Sequence, residues 1–191
     1  MKKVKCAVIM AVLIVIVAFC LAATEVSSKP KYEIRKVDQQ AVLYTIYRGD
    51  YQNIGQPIGK LFALAGTKGI IPAGQVQFVY LNNPNYVSKE HWLTEIRIPV
   101  GKEALKLAGT LGEITDIKVL PASEMIVAKK PKGQADPNSI YANMYKWIYE
   151  NNHTGLDSPV EIILSGSMAG DYSQMESEIM MPVKKMEQPK K

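Results

Sequence analysis

The chain has 191 residues and a formal charge of +5, enough length for one domain with a real core, or two very small ones. The positive excess sits at the ends, with Lys2, Lys3 and Lys5 ahead of the first acid and Lys184, Lys185, Lys190 and Lys191 in the tail. No basic stripe interleaved with aromatics is left to follow a phosphate backbone, which argues against a nucleic-acid partner.

In chain order, three lysines precede 18 apolar or small residues, Cys6 to Ala23, with no charge among them. That length falls between the apolar stretch of a secretory signal and a spanning helix. Residues 1–26 therefore read either as a signal peptide, with Cys20-Leu21-Ala22 as a small-x-small cleavage site, or as a signal-anchor transmembrane segment. In both cases the lysines are expected to stay cytoplasmic and the remainder to lie on the extracytoplasmic side, secreted or membrane-anchored. Both cysteines, Cys6 and Cys20, belong to this segment. The rest of the chain has no thiol for a disulfide, a nucleophile or a metal, which suits an oxidising compartment.

Residues 27–31 read as a short polar tether. From Tyr32 the pattern becomes periodic. YEIRKVDQQAVLYTIYRG predicts a strand, a bend at Asp38-Gln39-Gln40 and a second strand. QPIGKLFALAG predicts a helix burying Ile58, Leu61, Phe62 and Ala65, with Pro57 in its first turn and Gly69 as its stop. VQFVYL predicts a strand, NNPN a turn, and LTEIRIPV a partner strand. The same order then recurs. ITDIKVLPASEMIVAK predicts strand, bend and strand; Asp136-Pro137 predicts an N-cap and first helical residue. Ile140, Met144, Trp147 and Ile148 form the buried stripe of a helix ending near Asn152, Gly155 matches Gly69, and VEIILS and SEIMMPV follow as strands.

Corresponding elements are offset by 83 to 86 residues. A long period with two copies reads as an internal duplication, repeat one at 32–100 and repeat two at 113–184, rather than a solenoid. Each copy has too few strands to stand alone. The expected fold is therefore one α+β domain over 32–185: an antiparallel sheet with both helices on one face, a pseudo-twofold between halves and a cleft at the seam. Residues 186–191 are expected to be a disordered tail.

RGDY (Arg48 to Tyr51), VYLNNP (Val79 to Pro84) and the paired EIRIPV and EIMMPV strands resemble the gyrase-inhibitor-like (GyrI-like) small-molecule-binding family. This is the effector-binding domain of AraC-type and multidrug-responsive regulators, and the resemblance covers roughly Tyr32 to Lys185. The haem-binding SOUL proteins share the duplicated fold. The resemblance implies a cleft between the halves for flat, apolar and often cationic molecules, with aromatic walls and a floor glutamate on the last strand, here Glu178. Some relatives hydrolyse strained cyclopropane-containing compounds with such a glutamate. Where the regulators carry DNA-binding helices, this sequence is expected to carry an export segment instead.

Along TEIRIPV, Ile96, Ile98 and Val100 share one face and Glu95 and Arg97 the other. There Arg97 neutralises Glu95 on a solvated face. In SEIMMPV the counterpart of Arg97 is Met180, so Glu178 has no cation on its own strand. On a partly buried face its pKa is expected to rise, making it a cation receptor or a proton-transfer group. Trp92, three residues before Glu95, has Met175 as its counterpart, with Tyr172 as a substitute aromatic. Tyr141, Tyr145 and Tyr149 make a stripe on the second helix, read either as amphipathic packing or as one wall of the cleft with ring faces for cations. Tyr51 and Tyr80 are candidates from the first half.

His91 and His153 lack ligand-type spacing, and no metal or cofactor motif is present. Asn152-His153-Thr154 is formally a glycosylation sequon. The reading is a protein that holds a small apolar or cationic molecule between its repeats, through Glu178, Tyr141, Tyr145, Tyr51, Tyr80, Trp92 and Glu95. Its rivals are a hydrolase of strained electrophiles with Glu178 as the working group, and a protein-interaction module with a vestigial cleft.

Overall fold

The computed structural model describes residues 32–133, 138–166 and 172–187. The apolar run Cys6 to Ala23, the tether, and Asp136-Pro137 lie outside them. Among the described residues no helix is long and apolar enough to cross a membrane.

The first half runs β1 (Glu33–Val37), β2 (Gln40–Arg48), α1 (Gly55–Thr67), β3 (Gln77–Tyr80) and β4 (Leu93–Val100). The second runs β5 (Thr115–Leu120), β6 (Ser123–Lys130), α2 (Asn138–Glu150), β7 (His153–Gly155), β8 (Val160–Ser165) and β9 (Glu176–Lys185). All pairings are antiparallel, in one sheet of order β1-β6-β9-β8-β3-β4-β2-β5, with β7 added along β9. The strands on either side of each predicted bend do not pair with each other. Instead β1 crosses to β6 and β5 crosses to β2, so each half lends its first strand to the other.

Directly opposed residues of antiparallel strands share a face. One row runs Ile96, Phe78, Glu161, Ile179 across β4, β3, β8 and β9. Ile96 packs in the cluster that contains Ile58, Leu61 and Ala65 of α1, and Ile179 in the cluster with Ile140, Met144 and Ile148 of α2. Both helices therefore cover the same face. Phe62, expected in the α1 stripe, is 40% exposed, because it falls beyond the arc set by Ile58, Leu61 and Ala65.

The helix ends show how the chain turns. α1 closes with Gly69 at φ 66°, its N–H on the Gly66 carbonyl (3.2 Å) and the Ile70 N–H on the Ala65 carbonyl (2.8 Å). This paired pattern needs a left-handed residue, and glycine takes that conformation at least cost. After α2 the same conformation belongs to Asn152 at φ 56°, not to Gly155, which is a β7 residue. Asparagine is among the few side-chain-bearing residues that tolerate it.

One shift of 83 residues converts one half's ladders into the other's. Ala41 opposite Val100 becomes Glu124 opposite Val183, and Tyr80 opposite Thr94 becomes Ile163 opposite Ser177. Gly55–Thr67 becomes Asn138–Glu150, and Gly69 becomes Asn152. Phe78 opposite Glu161 maps onto itself, so this pair lies where the two halves meet.

The helix-free face is also buried. Val42, Val79, Val127 and Met180 point to it and are at most 4% exposed, since the sheet curls around them. The expectation of a solvated face for Glu95 and Arg97 is thereby corrected. Both are buried, Glu95 is ion-paired with Arg97 and with Lys118 Nζ (2.6 Å), and Lys118 lies over the Tyr44 ring at 4.6 Å.

Candidate functional site

On the helix-bearing face, over β3 and beside α2, lies a cavity of about 850 Å³. Its walls include Tyr51, Tyr80, Tyr141, Tyr145, Phe78 and Met175, and its mouth is lined by the 81–85 loop and Asn138. That volume suits a drug-sized molecule.

Each aromatic is positioned by local chemistry. Tyr51 follows Gly49, whose φ of 142° and whose missing Cβ, which would stand 2.7 Å from the Tyr47 hydroxyl, explain the glycine of RGDY. Asp50 caps the short turn at Tyr51–Asn53 by accepting from the Gln52 N–H (3.0 Å), and Tyr47 Oη donates to the Asp50 carbonyl (3.0 Å). The Tyr51 ring lies 4.3 Å from Trp92 and 5.4 Å from Tyr80, centroid to centroid. Trp92 is held by its indole N–H on the Val87 carbonyl (3.2 Å), so it braces Tyr51 from behind. The mouth loop is fixed by Asn82, which accepts from the Leu93 N–H and donates to the His91 carbonyl.

Beneath Tyr80 lies Glu161, fully buried on β8. One carboxyl oxygen accepts from Tyr80 Oη (2.7 Å) and the other from Ser177 Oγ (2.5 Å). Opposite Ser177 stands Lys130, also fully buried, whose Nζ donates to the Met175 carbonyl (2.6 Å) and so fixes the chain beside the cavity wall. Burial, with Glu161 and Tyr51 nearby, pushes the Tyr141 phenol far up; burial also raises that of Tyr51. Both are neutral hydroxyls across the physiological range.

A family model, the GyrI-like small molecule binding domain, matches residues 30–184. The chain belongs to this family. No curated protein matches it. Among solved structures, the EcmrR–DNA complex studied by cryo-EM is 15% identical, covering 97% of this chain and 69% of that one, with a TM-score of 0.68. The crystal structure of the EcmrR C-terminal domain is 16% identical over 83% of this chain and 99% of its own, at 0.65. A hydrolase from Listeria innocua is 13% identical over 83% and 94%, at 0.61. At such identities these likenesses describe the fold.

Within the GyrI-like domain, the structure brings together Tyr51, Tyr80, Tyr141 and Tyr145 as cavity lining. Tyr149, the third of the stripe, is 79% exposed. Trp92 is a brace rather than part of the lining. Glu95 and Glu178 project from the other face: Glu178 shares the row of Ile162, Gln77 and Arg97. The expected rise in the Glu178 pKa is reversed. Arg35 on β1 donates to both its oxygens (2.7 and 3.2 Å) and holds the carboxyl below its ordinary value. His91 is exposed against Ser88, His153 stacks on Trp147, and no metal-holding cluster occurs among the described residues.

The Arg35–Glu178 pair has a pH signature. A depressed carboxyl pKa adds stability above the ordinary carboxylate value, and the increment is lost as pH falls through the folded value. Because Arg35 is more than a third exposed, the increment is expected to be less than about 1 kcal/mol. Urea unfolding from pH 7 to pH 3 should show wild type and Glu178→Gln converging at the acid end.

Sequence reasoning missed Glu161 and the wall role of Met175. A signal for Glu161 was present. In VEIILS the acid alternates with Ile163 on one face, and a charge at a core-facing position of an apolar strand requires a partner or a purpose.

Proposed function

We propose that the protein holds a small apolar or cationic molecule in the cavity over β3 and β8, between its two halves, with Glu161 as the acid beneath it. The observation that carries this reading is the buried Glu161 carboxyl under a wall of tyrosines in a cavity of about 850 Å³. Ring faces of Tyr51, Tyr80, Tyr141 and Tyr145 attract cations, and a carboxylate below them adds to the same field. The shared 83-residue register supports an origin by internal duplication. The three lysines and charge-free run at the N-terminus support an exported domain, tethered or released.

The test is a thermal-shift titration of the full-length protein with tetraphenylphosphonium. The melting temperature should climb with concentration, corresponding to about 2.7 kcal/mol of added stability at a hundredfold excess over Kd. No shift with this cation, or with a panel of lipophilic cations and neutral polycyclic aromatics, would sink the proposal.

A further inference from the structure

The cavity changes character at its mouth. Ring faces form its walls, whereas its rim carries five carboxamides, Gln52, Asn82, Asn83, Asn85 and Asn138. Among the described residues no charged side chain lines it. Gln52, Asn83, Asn85 and Asn138 are exposed, so a molecule seated in the mouth can reach their side chains. Tyr145, half-exposed on α2, stands with them. The rim is also braced by the fold. Asn82 ties its loop to Leu93 and His91, the Leu81 N–H donates to the Leu93 carbonyl (2.9 Å), and the Tyr86 N–H to the Asn83 carbonyl (3.1 Å). Gln52 rides on the short turn that Asp50 caps. Gln52 and Asn85 enter this bracing through their backbone N–H groups, on Asp50 and Asn83. Their side chains are not needed to hold the loop.

A carboxamide offers a donor and an acceptor without charge. A carboxylate or phosphate head would be met by guanidinium or ammonium groups, and an ammonium head by carboxylates. A hydroxyl is itself donor and acceptor, so several hydroxyls on one ring match several amides. The Tyr145 ring adds a flat apolar surface beside them for the C–H face of a sugar. Because the amides stand on braced turns, less ordering is left to do on binding. We infer that the mouth binds an uncharged, polyhydroxylated group. The preferred occupant is then a glycoside or polyol conjugate, with an apolar or cationic body among the tyrosines and its hydroxyls on Gln52, Asn83, Asn85 and Asn138. This rests on the small-molecule reading and adds a substrate class to it.

Three triphenylphosphonium salts that differ only at the end of a hexyl arm test this: 6-methoxyhexyl, 6-(β-D-glucopyranosyloxy)hexyl and 6-carboxyhexyl, each titrated calorimetrically into the full-length protein. The glucosyl compound should bind roughly tenfold more tightly than the methoxy compound, the size of effect that one or two neutral hydrogen bonds supply. The carboxylate should show no such gain. In Gln52→Ala/Asn85→Ala the glucosyl preference should fall to about threefold or less. Equal affinities of the glucosyl and methoxy compounds, a carboxylate that binds as tightly as the glucoside, or a preference undiminished by the double substitution overturns the inference and leaves the small-molecule reading standing. If none of the three binds, the reading beneath it fails as well. Saturation-transfer difference NMR on the wild type gives a readout that needs no substitution. The glucosyl C–H protons should take up magnetisation from the protein, and a bound phosphonium whose sugar takes up none would overturn the inference.

Discussion

Glu161→Gln is expected to weaken tetraphenylphosphonium binding roughly tenfold to a hundredfold without unfolding the protein, and Glu178→Gln to leave it unchanged. A unit charge about 7 Å from a cation in a medium of effective dielectric near 20 contributes ~2 kcal/mol. Glutamine keeps the volume of Glu161, and its carbonyl still accepts one of the two hydroxyls now on the carboxyl, so the damage to packing is small. Glu178 sits on the opposite face, tied to Arg35. Calorimetric titration of both variants, with circular dichroism to check the fold, separates the two acids. Loss of binding in Glu178→Gln with retention in Glu161→Gln would move the site to the helix-free face.

The second large effect concerns the wall rather than the floor. Met144 is fully buried on α2 and packs with Ile126, Ala128, Ile179 and Met181 of β6 and β9. Met144→Ala is expected to cost about 2–5 kcal/mol, through lost burial and the cavity left behind. For a domain of this size the melting temperature falls by on the order of 10 °C. Tyr149→Ala, at the exposed end of the same helix, should stay within about 0.5 kcal/mol. Urea unfolding of the two variants checks this, and equal effects would mean that α2 does not pack through Met144.

Most of the fold could be read from residue periodicity. β4 and β8 fall where alternating and continuous apolar runs place them, and both helices appear with Ile58, Leu61, Ala65 and Ile140, Met144, Ile148 buried. What escaped was tertiary. No local pattern says that β1 pairs with β6 rather than β2, because two short strands around a bend look alike whether or not they form a hairpin. For the same reason Glu178 looked unpaired: its cation, Arg35, is 143 residues away in sequence. The helix-free face misled too. A curled sheet buries both its faces, so charged residues there become internal ion pairs instead of a solvated rim.

Of the cavity, the tyrosines were legible and the acid was not. Aligning VEIILS with VQFVYL from their first residues sets Glu161 beside Gln77, a match of polar residues that hides the acid's core-facing position. The ladders instead set Glu161 against Phe78, on the face that carries both helices.

That placement breaks a symmetry. Two identical subunits related by a twofold axis must present the same side chain on either side of it, two acids or two phenyl rings. A chain that carries both halves is free of this rule. Phe78 and Glu161 occupy the mutually opposed position, so a single acid can face a single ring. Two identical halves would enclose a cavity with two equivalent ends, whereas the unlike pair Phe78 and Glu161 gives it a polarity and hence one preferred way round for an occupant.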